Sequence, residues 1–315
     1  MKKALLQLHI AVLLWGFTGV LGKLISLDAP MLVWYRMLLT ALFVLAILLW
    51  SGKWLRVPAA GVRSLSLIGG LMAAHWIAFY AAIKFSNASI ALVCLSTSSV
   101  FTSLLEPLMN KTKYNVKELA LGMLALAGMY LIYSFQQLYG LGILLGIIAA
   151  LLSSVFTIYN KRIAHQYPVR TMVFYEMSTG FIIITALLPL LYYYVPETVF
   201  IPAQAGLADI MQGLPGSLMS LQNDWIWLIV LALCCTVWAQ TLALNALKQL
   251  SSFTITLTVN MEPVYGILLA ILIYREDKDL NAGFFAGMGL ICLSVVLQTR
   301  ALLLQNKRNS GLTTI

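Results

Sequence analysis

One carboxyl residue falls where a membrane-spanning helix would place it deepest in the bilayer. Glu262 lies ten residues into an apolar stretch near 252–273. At about 1.5 Å per residue it is about 15 Å along a helix, the middle of a roughly 30 Å hydrocarbon core. A carboxyl group at this depth is suited to bind and release protons, and the adjacent Pro263 frees one helix carbonyl from its usual donor. Coupling-ion chemistry and a buried structural role are both open for this pair.

Two further charged residues interrupt apolar stretches. By the same rise per residue, Arg36 lies about 8 Å inside one membrane face and Glu176 about 9 Å inside the other. Arg36 is long enough to reach towards Glu262, and an ion pair between them would be a gate; the alternative is that Arg36 snorkels to the headgroups or caps backbone carbonyls. Glu176 either binds the cationic part of a substrate or, as we expect, pairs with a basic residue at the interface, namely Lys161, Arg162 or Arg170.

Polar and aromatic residues at related depths extend this set. His75 lies near the middle of a span, either as a proton relay or as a hydrogen-bonded packing residue. Trp15 either lines a cavity or anchors its span at the interface. The amides of Gln240 and Asn245, combined with aromatic rings, would suit an amphiphilic solute. We predict no catalytic residue and no metal ligand, and the predicted binding residues are Glu262, Pro263, Arg36, His75, Trp76, Tyr80, Gln240, Asn245, Trp15 and Glu176.

The composition requires a membrane to position these residues. Of the 315 residues, 61% are hydrophobic and 10% are charged, whereas soluble domains carry about 25% charged residues. This excludes an ordinary soluble enzyme, a disordered chain and a secreted disulfide scaffold. The net charge of +9 forms no basic nucleic-acid-binding face, because the Lys and Arg residues are dispersed between apolar stretches. The 4 Cys residues lie within those stretches, so we expect no disulfide, no metal and no cofactor.

Apolar stretches separated by charged residues, Pro, Asn and Gly predict ten membrane-spanning helices. They lie near residues 4–27, 31–50, 64–83, 88–109, 118–135, 139–160, 170–194, 225–247, 252–273 and 281–304. Most of the 20 Lys and Arg residues then fall on one side, which places both termini in the cytoplasm, and the other side receives only Lys23, Lys84, Arg275 and Lys278. The longest connection, 196–224, is external and is a passive connector, as we expect, or a lid.

The two halves of the chain resemble each other in sequence. Residues 33–37 correspond to residues 173–177 at an offset of 140, and Lys84 corresponds to Lys248 at an offset of 164. The increase in offset reflects the long connection inserted in the second half. Each half contains five predicted spans, and an odd number of crossings inverts the second copy relative to the first, as in many secondary transporters.

The predicted fold is therefore an all-α integral membrane protein with ten transmembrane helices. Residues 1–137 form the first five-helix repeat, and residues 138–315 form the second, which includes the external loop 196–224. Two inverted repeats enclose a central cavity, and either half can close one mouth as the other opens. This arrangement favours alternating access.

Several short motifs follow one another in a specific order along essentially the whole chain. They are Trp15–Gly16, Arg36, the block from Lys84 to Leu105, and Glu262–Tyr265 leading to Arg275–Glu276. In their order, spacing and duplication they resemble the EamA-type members of the drug/metabolite transporter superfamily. The resemblance implies a ten-helix carrier, since such families export small metabolites, amino acids or toxic compounds.

Three classes of function are open to such a chain. A carrier accounts for the inverted repeat and for the polar groups at mid-membrane depth, and a channel or facilitative pore shares these features. An intramembrane enzyme would need a zinc-binding His-Glu-x-x-His, a P-loop or a nucleophile elbow, and the sequence contains none of them. We therefore predict a secondary transporter and not an enzyme. It exports a small metabolite, amino acid or amphiphilic drug-like solute, and proton coupling is one of its open energy sources.

The expected setting is the inner membrane of a bacterial-type cell. The expected partners are a small-molecule substrate and the lipid bilayer, without nucleic acid. Gly142–Gly146 and Gly283–Gly287 follow the spacing of small residues that lets membrane helices approach closely. The second pair forms an intramolecular seam, as we favour, or a contact between two copies. The protein is accordingly expected to be a monomer or a homodimer.

Overall fold

The computed structural model describes residues 1–25, 27, 29–52, 56–86, 88–132, 140–194, 224–265 and 282–312. All regular secondary structure in these residues is helical. The predicted external loop 196–224, except for Asp224, lies outside the described residues. The predicted boundary between residues 137 and 138 lies outside them as well.

The described helices follow one another along the whole chain. They are α1 (Lys2–Leu24), α2 (Ala29–Trp50), α3 (Ala59–Phe85), α4 (Ala88–Asn110), α5 (Val116–Ile132), α6 (Gly140–Ile163), α7 (Val169–Tyr194), α8 (Asp224–Gln249), α9 (Ser252–Val259) and α10 (Ala282–Leu312). Seven of them contain stretches long and apolar enough to cross a bilayer, in α2, α3, α4, α6, α7, α8 and α10. The predicted all-helical, multi-pass membrane class is thus confirmed, and the ten-span inverted repeat stays a prediction.

Local signals explain where α8 ends and α9 begins. Ser251 precedes α9, and its hydroxyl oxygen accepts a hydrogen bond from the Thr254 backbone N–H at 3.2 Å. Serine is a favoured residue at this capping position. At the end of α8, the Lys161 ammonium group of α6 donates to the carbonyls of Leu247 and Leu250, both at 2.7 Å. A cation is stabilising there because the last carbonyls of a helix lack intrahelical donors.

The helical path is interrupted beside the predicted carboxyl site. α9 ends at Val259, and after a two-residue turn the chain is helical again over 262–265. Pro263 has no N–H group and therefore cannot donate to the Val259 carbonyl. Within the turn, the Met261 backbone N–H donates to the carbonyl three residues earlier, at 2.9 Å, which is a tighter spacing than in an α-helix. The discontinuity that we predicted beside Glu262 is present.

α8 contains a π-helical segment, Leu233–Trp238, that the sequence analysis did not predict. The segment contains no Pro or Gly that would announce a distortion. The Thr236 hydroxyl donates to the carbonyl of Leu231, five residues earlier, at 3.0 Å. Such segments release carbonyls from the regular ladder and frequently occur at functional sites.

The helices of the two sequence halves pack extensively against each other. The main contacts join α3 to α6 and α7, α2 to α7, α4 to α6, α1 to α8, and α5 to α10. Further contacts join α4 to α5 and α9, α9 to α1 and α10, and α8 to α2. The buried core lies along these contacts, and Phe253, Met37 and Met177 are among its largest fully buried side chains.

Glycines permit the closest of these approaches. A Cβ atom on Gly142 would lie 2.6 Å from Ser86, and a Cβ atom on Gly146 would lie 2.6 Å from Cys94. The small-residue face of α6 therefore packs on α3 and α4. Between α5 and α10, a Cβ atom on Gly128 would lie 2.6 Å from the Gly287 carbonyl oxygen. Gly287 thus belongs to an intramolecular seam, the interpretation favoured above.

Candidate functional site

A cavity lies among helices from both halves of the chain. It contains about 750 Å³ of atom-free space, part of which is open to the outside. The described helices α1 to α4, α6, α8 and α9, together with the short helical stretch 262–265, contribute its walls. The lining residues are Trp15, Thr18, Arg36, Met72, His75, Trp76, Phe79, Tyr80, Leu95, Ser153, Phe156, Thr157, Gln240, Ile255, Thr256, Val259 and Glu262.

Arg36 is held in place from several directions. Its Nε donates to the Thr236 hydroxyl at 2.8 Å, and its Nη2 donates to the Cys235 carbonyl at 3.3 Å. Its Nη1 donates to the Tyr80 hydroxyl at 3.5 Å, and the guanidinium carbon lies 4.1 Å from the centre of the Trp76 ring, a cation–π geometry. The two acceptors on α8 belong to the π-helical segment, so the irregular backbone fixes this cation. Arg36 is 3% exposed and donates to the Cys235 carbonyl, so capping of a backbone carbonyl fits this geometry and snorkelling to the headgroups does not.

Glu262 shares the cavity with Arg36 without binding it. In the described part of the chain no ion pair joins the two, because the guanidinium nitrogens are directed to Thr236, Cys235 and Tyr80. The predicted Arg36–Glu262 gate is not closed in this conformation, and the carboxyl group faces the cavity.

His75 is hydrogen-bonded to the backbone and stacked among aromatic rings. Its Nδ1 lies 2.7 Å from the Ala149 carbonyl oxygen. A carbonyl only accepts, so Nδ1 carries a hydrogen and Nε2 is the acceptor of the neutral ring. The Phe79 and Phe156 ring centres lie 6.3 and 5.4 Å from that of His75. This is the packing arrangement of the two alternatives above, although the ring also lines the cavity.

Gln240 and Trp76 occupy equivalent positions at the offset of 164, and both line the cavity. The Gln240 Nε2 donates to the Met72 sulfur at 4.0 Å. Because a thioether is a weak acceptor, this contact holds the amide loosely. Trp15 also lines the cavity, which favours the first of its two predicted roles.

Glu176 lies away from the cavity walls, and its predicted pairing is wrong. The residue is 0% exposed, and neither carboxylate oxygen has a hydrogen-bond partner. Lys161 binds the carbonyls at the end of α8, Arg162 donates to the Asn110 side chain at 2.9 Å, and Arg170 is exposed. The expected pairing was based on the similar depths of these residues in the membrane. The carbonyl groups at helix ends attract the same cations, however.

The remaining predicted residues and the unpredicted ones also have definite places. Asn245 and Pro263 are absent from the described cavity walls. Trp238, two residues before Gln240 on α8, is 59% exposed and faces outward. Phe156 lines the cavity and was not predicted, although the offset of 140 relates it to Gly16, beside Trp15. Among the described residues, no group of three His, Cys, Asp or Glu residues is placed to hold a metal ion.

Hydroxyl and amide side chains join α4 to the α9 region, which the sequence analysis did not predict. The Asn260 amide donates to the Ser99 hydroxyl at 3.3 Å, and the Ser252 hydroxyl donates to Glu106 Oε1 at 2.8 Å. Each of these four residues is at least partly buried. Such a polar contact between helices can open by exchanging its hydrogen bonds with water, without exposing a large apolar surface.

Comparisons with known proteins agree over nearly the whole chain. The sequence model of the EamA-like transporter family matches residues 2–134 and 140–300. A protein of Archaeoglobus fulgidus described as an uncharacterized transporter is 24% identical over 317 residues, covering 95% of this chain and 98% of its own. The uncharacterized transporter YxxF of Bacillus subtilis is 24% identical over 303 residues, covering 91% of this chain and 88% of its own. A crystal structure superposes with a TM-score of 0.71 at 16% identity, covering 96% of this chain and 98% of that one, and shows a shared fold.

Proposed function

Since this chain belongs to the EamA-like transporter family, we propose that it is a secondary carrier that works by alternating access. The observation that carries this proposal is the cavity between the two halves, which combines a fixed guanidinium, a carboxyl group and aromatic walls. The transported solute is a small metabolite, an amino acid or an amphiphilic drug-like compound. Transport is outward, from the cytoplasm.

The helix packing supports a pair of inverted five-helix repeats, residues 1–137 and 138–315. Exchanging each helix for the one five places away converts the α3–α6 contact into α8–α1, and the α3–α7 contact into α8–α2. It also converts α4–α6 into α9–α1 and α4–α5 into α9–α10, and all of these contacts occur. The contacts α2–α7, α4–α9 and α5–α10 are unchanged by the exchange. Halves related in this way can close the cavity alternately from either side.

The cavity chemistry supports an amphiphilic solute. A guanidinium has five N–H donors, and Arg36 uses three of its nitrogens for single contacts in the described structure. N–H groups are therefore left for an acceptor on the solute. Trp76 and Phe156 supply apolar surface on the same cavity.

Proton coupling through Glu262 is the energy source that we propose. The carboxyl group faces the cavity where solute binds, so proton and solute compete for the same space or alter each other's binding. The helix break beside it gives that part of the wall a backbone able to shift between two arrangements. Protonation of Glu262 would then follow the side of the membrane to which the cavity opens.

The test is a proteoliposome efflux panel of amino acids, small metabolites and amphiphilic drugs, run with and without a pH gradient. We expect at least one solute class to be transported faster with the gradient, and we expect Glu262→Gln to lose that acceleration. Glu106→Gln, a change at a carboxyl group bound to Ser252 away from the cavity walls, is the matched control and should keep it. An unaltered rate and pH response in Glu262→Gln would show that the proton role is wrong. Non-saturating, downhill-only flux would identify a pore.

We also propose that the protein lies in a bacterial-type inner membrane with both termini in the cytoplasm. A single cysteine introduced within 196–224 should react with a membrane-impermeant maleimide in intact cells. A cysteine at the exposed Ser51, in the turn after α2, should react only after permeabilisation. The reverse pattern would overturn the orientation.

A further inference from the structure

A buried carboxyl group on α7 has no part in the cycle proposed above. Glu176 is fully buried, and both carboxylate oxygens lack a hydrogen-bond partner. An ionised carboxylate is costly to bury in a protein interior or in hydrocarbon unless it is paired. Something must therefore offset its charge or supply a donor in the folded protein.

The charged and titratable residues on the helices around Glu176 do not supply that partner. In the described part of α2, α3, α6 and α8, none of them forms an ion pair with it. Arg36 is bound to α8, His75 to the Ala149 carbonyl, and Lys161 to the end of α8. The complete described set on these helices is Tyr35, Arg36, Arg63, His75, Tyr80, Tyr159, Lys161, Arg162, Asp224, Cys234, Cys235 and Lys248.

Two amide side chains adjoin Glu176 in the described part of the chain, and neither makes a hydrogen bond of regular geometry to its oxygens. They are Asn160 of α6 and Gln240 of α8. The Asn160 Oδ1 is buried and also has no donor, so three oxygen atoms here lack hydrogen bonds. A proton on Glu176 would convert one of these acceptors into a donor and allow a bond to a neighbouring amide oxygen.

Gln240 connects this buried group with the cavity. It adjoins Glu176 and also lines the cavity wall. Its other contact is the weak one to the Met72 sulfur at 4.0 Å, which costs little to give up. A change in the Gln240 rotamer would therefore open a short polar route from the cavity to the carboxyl group.

We propose that Glu176 is a second proton-binding site, which holds a proton in this conformation and exchanges it with the cavity when Gln240 moves. The use of that proton in transport rests on the carrier function proposed above, but its binding does not. Glu262 would then take up protons directly from the cavity, and Glu176 would take them up only when the Gln240 side chain moves aside.

The test uses infrared difference spectra of the purified protein in lipid bilayers, recorded between mildly acidic and mildly alkaline buffers without solute or gradient. The wild type should show the carbonyl stretch of a buried protonated carboxyl group. Glu176→Gln, which preserves size and hydrogen-bonding capacity, should lose that component. Glu262→Gln should retain it, and Glu106→Gln serves as the control for loss of an already partnered carboxyl group.

The outcomes separate this inference from the carrier function. Loss of the component in Glu176→Gln supports the second site even where the transport panel fails. An unchanged spectrum in Glu176→Gln, or a wild-type spectrum without the component, overturns it, as does a dependence on sodium instead of pH. If Glu176→Gln does not fold, Glu176→Asp decides the matter: a shifted, pH-sensitive component supports the site, and an unshifted one overturns it.

Discussion

Arg36 and Glu176 are related by the sequence offset of 140, yet their surroundings are opposite. Both side chains are buried. The guanidinium has acceptors on α8, a phenol and an indole ring around it, whereas the carboxylate has no hydrogen-bond partner. Two positions related by the sequence offset therefore need not have equivalent roles. The Arg36 guanidinium is fixed by its contacts, whereas the Glu176 carboxyl group has none to fix it.

The helices that face these two residues explain the difference. The π-helical segment 233–238 of α8 corresponds, at the offset of 164, to residues 69–74 of α3. On α8 the irregular backbone offers acceptors to Arg36. On α3 the helix is regular, and a Cβ atom on Gly69 would collide with the carbonyl oxygen of Glu176. The backbone of α8 thus binds the Arg36 side chain, whereas Gly69 lets the backbones of α3 and α7 approach each other closely.

Arg36→Ala should give the largest effect, because Arg36 is the more firmly held of the two residues. It leaves a space beside the cavity and removes the donors to Cys235 and Thr236. We expect transport to fall at least about tenfold and the free energy of unfolding to fall by about 2–4 kcal/mol, measured by efflux and by thermal unfolding.

Two further variants test the cause of this loss. Arg36→Lys keeps the charge but not the fork of donors, so it should recover only part of the loss. Glu176→Gln should change the free energy of unfolding by less than about 1 kcal/mol, because it breaks no described hydrogen bond. Equal destabilisation by Arg36→Ala and Glu176→Gln would show that the two sites are not different in kind.

Gly69→Ala should have the second-largest effect and tests the α3 side. The added methyl group meets the Glu176 backbone, which cannot move aside as a side chain would. We expect the free energy of unfolding to fall by about 1–3 kcal/mol. Thermal unfolding in detergent would measure it.

Gly289→Ala is the matched control, since a Cβ atom there meets nothing within 4 Å among the described atoms. Alanine replaces glycine inside α10 in that variant, and helix propensity favours it by up to about 1 kcal/mol. If both glycine variants unfold at the same temperature, the close approach of α3 and α7 is not a constraint on the fold.

Much of this architecture was predictable because hydrophobicity determines membrane helices directly. Length and polarity located the helical segments, and depth arithmetic selected residues that share a wall. Of the predicted binding residues, those on the cavity are Trp15, Arg36, His75, Trp76, Tyr80, Gln240 and Glu262. Proline chemistry also predicted the helix break beside Glu262, because a missing N–H is a local property.

The predictions that failed concern which of several sequence-distant groups a side chain contacts. Glu176 was expected to pair with a cation at its own depth, but Lys161 binds the end of α8 instead. Nothing local in the sequence says which of two acceptors a lysine will choose. The π-helical segment Leu233–Trp238 was missed for the same reason, since it contains no Pro or Gly and contacts Arg36 about 200 residues away.

We expect the smallest effect from Thr236→Val. It removes the hydroxyl that accepts a hydrogen bond from Arg36 Nε and donates one to the Leu231 carbonyl. Valine has nearly the same shape, so the change removes hydrogen bonds with little effect on packing. We expect a loss of about 0.5–1.5 kcal/mol in stability and a severalfold rise in the half-saturating solute concentration, because the guanidinium is less firmly held. Thr236→Ser keeps the hydroxyl and should behave like the wild type in solute affinity. If Thr236→Val and Thr236→Ser bind solute equally well, the position of Arg36 does not depend on the π-helical segment through this residue.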